Sequence, residues 1–228
     1  MFKLNDYLRD NQGRVIVDRV TGMPEIDPNL RTFGRTMPTD ILGLNLNVNW
    51  KGLSFSAVAD YRGGNQIVAD QLGGFLDDNG ISERSAQNGR RAFVFPNSVY
   101  DDGTGKYIVN TDVYTHDFGR LFWNSDLNTN VTSNYLADGS FWKIREVALS
   151  YNIPTRILGS KLSNVIKGIT VGVNGRNLFM FVPKSNVWTD PEFSASGNGA
   201  YTGNAVGRST AFNMPPTRIY GANLVVRF

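Results

Sequence analysis

The clearest pattern in this chain is the alternation of apolar and polar residues at every second position. From Leu42 to Trp50, apolar residues alternate with one glycine and three asparagines: Gly43, Asn45, Asn47 and Asn49. Because successive side chains of a strand point to opposite faces, this alternation predicts a strand with one apolar and one polar face. A tight turn at Lys51-Gly52 and a second alternating segment from Leu53 to Tyr61 predict an antiparallel hairpin.

Three further segments show the same alternation. The first runs from about residue 140 to residue 151 and ends before Pro154, and the second runs from Ile169 to Arg176 with Asn174 on its polar side. The third closes the chain, with Asn223 on its polar side and a mostly apolar series on the other: Tyr220, Ala222, Leu224, Val226 and Phe228. We therefore predict five long strands.

The connections between these strands sort by length. Short turns follow the first and third strands, whereas long segments, 62–137 and 177–217, follow the second and fourth. Short turns on one side and long loops on the other are typical of outer-membrane β-barrels. The prediction is therefore an all-β fold: antiparallel transmembrane β-strands forming the C-terminal part, about five strands, of a larger outer-membrane β-barrel with long external loops. Residues 1–40 are interpreted as an external loop segment and 41–228 as the barrel strands.

The alternative hypothesis is a soluble or surface β-sandwich whose loop aromatics bind carbohydrate. Five strands fall short of the roughly eight that the smallest membrane barrels use, so the membrane interpretation requires this chain to be a fragment. In that interpretation the polar face lines a lumen, and its candidate residues are Asn45, Asn47, Asn49, Asn174 and Asn223. Trp142 and Trp50 are expected to mark the two membrane interfaces. Trp123 and Trp188 fall in the long loops.

Composition excludes several other functions. The 23 basic and 20 acidic residues are nearly balanced and scattered, which argues against nucleic acid as a partner. Cysteine is absent and His116 is the only histidine, so disulfides and multi-histidine metal sites are excluded. The segment Gly103–Tyr107 lacks the spacing of a phosphate loop, and Asp77–Gly80 lacks the ligand pattern of a calcium loop. We expect no cofactor, no catalytic residue and no enzymatic activity.

Several segments resemble, in order, one known family. They are Gly34–Pro38, Trp50–Ser56, Tyr61–Gly64, Asp138–Val147, Leu149–Pro154, Gly175–Phe179, Asp190–Glu192 and Pro216–Arg218. Together they are similar to the C-terminal barrel portion of the SusC/RagA-type TonB-linked outer-membrane transporters (TonB-dependent receptors) of Bacteroidota. The most recognisable segment is Asp138–Val147.

The resemblance implies a role in nutrient uptake across the cell outer membrane. Members of the family import glycans or peptides together with a SusD-like surface lipoprotein, so that lipoprotein and the outer-membrane lipid are the expected partners. The TonB complex would be reached only through an N-terminal plug region that we expect to be missing here, so the fragment alone would not be transport-competent. The terminal strand resembles the signal read by the barrel-assembly machinery, with Tyr220, Leu224, Val226 and Phe228 as its candidate residues.

Overall fold

The structure is a computed structural model, and it describes residues 1–115, 120–159, 165–193, 207–209 and 216–228. The chain divides into two compact units. The sheet unit comprises Pro38–Gly64, Gly139–Lys184 and Pro215–Phe228. The loop unit comprises Met1–Met37, Asn65–Asp138 and Ser185–Met214.

The described strands, in chain order, are β1 (Lys3–Leu4), β2 (Val15–Ile16), β3 (Arg31–Thr32), β4 (Asp40–Trp50), β5 (Leu53–Gly63), β6 (Gln66–Val68), β7 (Ser98–Asp101), β8 (Tyr107–Val109), β9 (Leu136–Asp138), β10 (Phe141–Ile153), β11 (Gly168–Phe181) and β12 (Ile219–Arg227). The α-helices among the described residues are α1 (Asp70–Asp78), α2 (Arg120–Trp123) and α3 (Asp126–Thr129). Short 3₁₀ segments cover Arg84–Arg90, Thr132–Tyr135, Thr155–Leu158 and Pro191–Phe193. Among the described helices, none has the length and apolar character needed to cross a bilayer.

The sheet unit is built from the five long strands that the alternation predicts. They form one sheet in the order β12-β11-β10-β5-β4, and every pair is antiparallel. The hairpin between β4 and β5 turns at Lys51 and Gly52, whose φ angles are 48° and 88°. Two successive positive φ values define the type I′ turn, whose twist matches that of the flanking strands. Strand β10 ends at Ile153, directly before Pro154, which cannot donate to a ladder.

The fourth long strand differs from its prediction. Strand β11 continues to Phe181, so the boundary predicted at Arg176 is wrong. Between the rungs Ile144–Phe179 and Glu146–Arg176, β11 carries one residue more than β10. Asn177 lies there with a φ of 53°. Beyond this bulge, the residues from Leu178 to Phe181 are all apolar, so the alternation is lost in the sequence although the strand continues.

The loop unit is made of short elements around its own hydrophobic clusters. A three-stranded sheet has the order β2-β7-β8, and two strand pairs, β1-β3 and β6-β9, accompany it. One buried cluster contains Tyr7, Val15, Val17, Phe122 and Val131, and the other contains Phe2, Leu4, Val68 and Tyr135. Much of this unit, including α1 and β7, comes from the segment 62–137 that the sequence presented as an irregular loop.

Candidate functional site

The register of the five-stranded sheet gives it two faces of different character. Side chains directly opposite each other on neighbouring strands share a face. One complete rung joins Val48, Phe55, Leu149, Val173 and Ala222, and the next joins Trp50, Leu53, Tyr151, Val171 and Leu224. Every member of both rungs is apolar or aromatic. The alternate rungs carry mainly Asn, Ser, Thr, Gly and charged residues.

The apolar face is not covered by a second layer in the described part of the chain. Leu149 and Val173 lie on the central strands β10 and β11, yet they are 40% and 56% exposed. Leu224 on the edge strand β12 is 65% exposed. A β-sandwich buries its apolar faces between two sheets about 10 Å apart. The β-sandwich hypothesis therefore does not fit the described residues.

Aromatic residues lie at both ends of this apolar face. At one end, Tyr61 and Trp142 are cross-strand partners with ring centroids 5.1 Å apart, and Phe181 is the next residue across the sheet. At the other end lie Trp50 and Tyr151. At about 3.3 Å per residue, the strand from Leu53 to Tyr61 spans roughly 26 Å. That length is comparable with the roughly 25 Å apolar band, flanked by aromatic girdles, of outer-membrane barrels.

The five candidate asparagines share the opposite, polar face. Asn45, Asn47 and Asn49 alternate along β4, and the Asn47 Nδ2 donates to Asn45 Oδ1 at 2.9 Å. Asn174 on β11 stands opposite Gly221, and Asn223 on β12 stands opposite Gly172. Each of these two amides therefore lies beside a glycine, which leaves room for it on the sheet surface. The register brings the five residues onto one surface but does not itself show what that surface borders.

A bulge adds charged residues to the polar face, and the alternation gave no sign of them. Arg145 is an extra residue in β10 relative to β5, so Arg145 and Glu146 both lie on the polar side. The Arg145 guanidinium forms a two-pronged ion pair with Asp60, including an Nη2–Oδ2 distance of 2.7 Å. Arg176 pairs with Glu146 at 3.2 Å. Regular alternation would have placed Arg145 among the apolar residues.

The candidate assembly residues lie on β12 and directly after it. Tyr220, Leu224 and Val226 point to the apolar face, and Phe228 follows the last strand residue and is 82% exposed. In the described part of the chain, β12 pairs with β11 alone. The strand therefore presents one open edge with unpaired main-chain donors and acceptors.

The loop unit contains a buried carboxylate, Asp77 on α1, which in the sequence stands out only as part of an incomplete calcium-loop pattern. Asp77 is 1% exposed, and its oxygens accept hydrogen bonds from the Ser82 hydroxyl at 2.6 Å, the Tyr135 hydroxyl at 2.9 Å and the Asn128 amide at 3.1 Å. Arg84 completes the set with a two-pronged ion pair. The guanidinium of Arg84 also stacks on three rings, those of Tyr135 at 4.6 Å, Trp188 at 4.9 Å and Trp123 at 5.5 Å.

This network sets the protonation of its members. Burial alone would raise the pKa of Asp77, but hydrogen bonds from Arg84 and Ser82 outweigh it and hold that pKa below its usual value. Burial, together with the charge of Asp77, raises the pKa of Tyr135 above its usual value. Asp77 is thus an anion with all its neighbours oriented toward it, which is the arrangement of a structural anchor and not that of a calcium ligand.

The loop unit also encloses an aromatic pocket of about 450 Å³. Its apolar walls come from Tyr7, Phe93, Phe95, Phe122 and Trp123. Four of the ring pairs meet edge to face: Tyr7–Phe95, Phe93–Phe122, Phe95–Phe122 and Phe122–Trp123. Polar residues, including Gln87, Asn88 and Asn134, complete the lining. Of these residues, only Trp123 stands out in the sequence, because the rings come from distant points of the chain.

The remaining candidates of the sequence analysis carry no site. Gly103–Gly105 and their neighbours form the exposed turn of the β7-β8 hairpin. His116 lies outside the described residues, as do residues 160–164 of the second short connection. Within the described ranges, no group of three or more His, Cys, Asp or Glu residues could hold a metal ion.

Comparison with known proteins adds a likeness of fold. No protein-family model and no curated protein sequence matches the chain. The chain is similar to a solved structure of the RagAB peptide importer in its open-open state, with a TM-score of 0.58, 18% identity, and coverage of 100% of this chain and 22% of that one. It is also similar to the importer in its closed-closed state and to the RagAB peptide transporter, each with a TM-score of 0.53, 18% identity, and coverage of 98% and 22%.

The chain therefore spans about a fifth of the length of the chains that it resembles, 22% in each case. At this identity the likeness shows the fold. The predicted all-β fold of antiparallel strands is confirmed, and the likeness is to one section of a larger protein. The chain adopts the fold of one section of the RagAB importer structures, as the sequence resemblance predicts.

Proposed function

We propose that this chain is the C-terminal barrel portion of an outer-membrane, TonB-dependent importer of glycans or peptides. The observation that carries the proposal is the five-stranded sheet with one continuous apolar face, one polar face and aromatic residues at both apolar ends. Such a sheet has a favourable environment where lipid meets one face and water the other. The fold likeness to the RagAB importer supports this function, and it favours transport over catalysis.

In this proposal the two faces have separate roles. The face of Leu46, Leu149 and Leu224 borders lipid. The opposite face, with Asn45, Asn47, Asn49, Asn174 and Asn223, lines the lumen and offers amide donors and acceptors to a polar solute. Its ion pairs, Asp60–Arg145 and Glu146–Arg176, are compatible with a wet lumen and would be costly in lipid.

The sheet also implies that further strands complete the barrel. In the described residues, β4 pairs with β5 alone and β12 with β11 alone, so both edges are open. Each unsatisfied main-chain group in lipid costs several kcal/mol. We therefore propose that this chain does not transport by itself. The complete protein would close the barrel, couple to the TonB complex through its N-terminal region and work with a SusD-like surface lipoprotein.

The edge strand β12 supplies the proposed assembly signal. Its alternate residues Tyr220, Leu224 and Val226, with Phe228 at the end, would be read by the barrel-assembly machinery. Recognition by strand addition fits an open edge, because main-chain groups give affinity while alternate side chains give specificity.

Cysteine labelling in the full-length protein tests the membrane orientation. Lys106 lies in the exposed hairpin turn of the loop unit, and Lys51 lies in the exposed I′ turn of the sheet unit. A membrane-impermeant maleimide added to intact cells should label Lys106→Cys. It should label Lys51→Cys only after the outer membrane is permeabilised. Labelling of both variants in intact cells, or recovery of the protein in the soluble fraction, would refute the proposal.

A further inference from the structure

The aromatic pocket of the loop unit has room for a ligand group. Its volume of about 450 Å³ falls in the range of small-molecule sites, roughly 300–1,000 Å³. Phe122 is 4% exposed and forms edge-to-face contacts with Phe93, Phe95 and Trp123. These contacts hold the walls of the pocket in place. The pocket belongs wholly to the loop unit.

Most polar groups of the lining are already used within the protein. The Asn128 amide donates to Asp77 and to the Trp123 carbonyl. The Asn134 amide donates to Tyr7 and to Asn128, and Arg84 is paired with Asp77. These groups therefore shape the pocket and offer few donors to a ligand.

The Tyr7 hydroxyl is the exception. Tyr7 is 4% exposed, and its oxygen accepts a hydrogen bond from the Asn134 amide at 2.7 Å. The hydroxyl proton has no acceptor among the described residues. Burial raises the pKa of Tyr7 above its usual value, so the proton is retained at neutral pH. A buried donor without an acceptor is costly, and a ligand acceptor would remove that cost.

The rim of the pocket supplies the remaining polar contacts. Gln87 and Asn88 line the pocket and are exposed, and neither side chain makes a hydrogen bond within the described part of the chain. Their amides can therefore pair with a polar group at the mouth.

We propose that this pocket binds an aromatic side chain together with its adjacent carbonyl, as presented by an aromatic residue in a peptide. Ring walls meeting edge to face favour insertion of another ring. The Tyr7 hydroxyl donates to a carbonyl oxygen, and the rim amides pair with the main chain that continues outward. A sugar fits poorly, because its several hydroxyls would be buried among rings with a single donor to satisfy them.

This inference does not rest on the proposed import function. The pocket lies in the loop unit, and its binding chemistry is the same whether or not the sheet unit crosses a membrane. Failure of the labelling experiment above would leave the pocket inference standing, and failure of the binding experiment would leave the membrane orientation standing.

Titration of the full 228-residue chain, refolded in detergent micelles, tests the inference. Saturation-transfer NMR should detect binding of N-acetyl-L-phenylalaninamide, with empty micelles as the blank. N-acetyl-L-alaninamide should bind at least about tenfold more weakly, because its methyl group buries little apolar area. Maltose should show no saturable binding. Equal binding of the two amides, or saturable binding of maltose alone, would overturn the proposal.

Three variants locate the binding. Tyr7→Phe keeps the ring and removes the donor, so it should weaken binding of the phenylalanine probe about threefold to tenfold. Tyr100→Phe is the matched control, because Tyr100 packs against the same hydrophobic cluster without lining the pocket. The affinity of this variant for the phenylalanine probe should be unchanged. Gln87→Trp replaces an exposed rim residue and should block entry. Full affinity in both Tyr7→Phe and Gln87→Trp would show that the probe binds elsewhere.

Discussion

The two units of this protein differ in where their apolar residues are. Among the fully buried hydrophobic residues of the described chain, only Phe141 belongs to the sheet unit, and all the others belong to the loop unit. The sheet unit instead exposes its leucines, valines and aromatic residues along one face. The loop unit therefore contains its own core, whereas the sheet unit depends on its surroundings to cover its apolar side. Stability in the two units thus has different physical sources, and the predictions below separate them.

The largest effect should come from breaking the buried network of the loop unit. Asp77→Asn removes the charge that Arg84 pairs with, and breaking a buried pair on one side costs about 3–5 kcal/mol. Urea unfolding, monitored by tryptophan fluorescence, would measure this loss of unfolding free energy. The measurement uses a chain that also carries Trp50→Phe and Trp142→Phe. The remaining tryptophans, Trp123 and Trp188, both contact Arg84.

Asp78→Asn is the matched control for this prediction. Asp78 is the neighbouring residue of the same helix and is exposed, so its change should stay within about 0.5 kcal/mol. If Asp77→Asn and Asp78→Asn unfold at the same urea concentration, the network does not anchor the unit.

The same network predicts a dependence on pH. The pKa of Asp77 is lower in the folded than in the unfolded protein, so its contribution is complete above the unfolded value, near 3.9, and declines as pH falls below it. The difference in unfolding free energy between the native chain and Asp77→Asn should therefore be constant from pH 7 to about pH 5 and shrink below about pH 4. If that difference in unfolding free energy does not change down to pH 2, the lowered pKa of Asp77 is contradicted.

The sheet unit should respond to charge on one face only. An arginine at a lipid-facing, mid-bilayer position costs about 2–4 kcal/mol. Leu46→Arg should therefore lower the unfolding free energy of the full-length protein in lipid vesicles by about that amount. Asn47→Arg, one residue along the same strand and on the opposite face, should cost far less. Equal losses would mean that the apolar face does not border lipid.

The I′ turn should give a smaller effect. Lys51 has a positive φ of 48°, and a β-branched residue is strained in that conformation. Lys51→Val should destabilise the sheet unit by about 1–2 kcal/mol. Lys51→Asn should be neutral or stabilising, because Asn-Gly is the favoured I′ pair. Urea titration of the same vesicle preparation would compare the two, and equal midpoints would argue against the observed turn.

The smallest effect on stability should follow deletion of Phe228. Its side chain is 82% exposed and lies beyond the last strand pair, so the unfolding free energy should change by less than about 1 kcal/mol. If Phe228 belongs to an assembly signal, the amount of full-length protein in the outer membrane should nevertheless fall severalfold. Comparing the amount of protein in the membrane with the heat resistance of the assembled fraction separates the effect on assembly from the effect on stability. Normal membrane levels after the deletion would show that Phe228 is not part of the signal.

The sequence predicts the sheet well and the loop unit poorly, for one physical reason. Each strand of the sheet is nine or more residues long, and stretches such as Leu42 to Trp50 keep a two-residue period that is visible without any partner. The strands of the loop unit are two to four residues long, too short to show a period. Its core forms from contacts such as Tyr7 with Phe95 and Asn134, which no local pattern records.

The difference between periodic strands and contacts from distant segments also explains which residues of the candidate sites the sequence did not predict. The five asparagines are prominent because they recur in register within strands. Arg145 and the continuation of β11 beyond Arg176 were missed because a bulge interrupts each of these two strands. The aromatic pocket was missed because its rings come from three separate segments, near residues 7, 95 and 122.

The bulge at Arg145 also determines which alignment of the strands is possible. A strand that slides by two residues against its neighbour keeps every apolar side chain on the apolar face, so the pattern of faces alone permits a family of equivalent alignments. An extra residue at one fixed rung breaks that equivalence between β10 and β11, because sliding would move Arg145 away from the irregular β11 residues at Asn177. The pairing of Asp60 with Arg145 occurs in the observed alignment alone. The bulge thus fixes the alignment of the strands, and removing Arg145 should allow misaligned sheets that still have one apolar and one polar face.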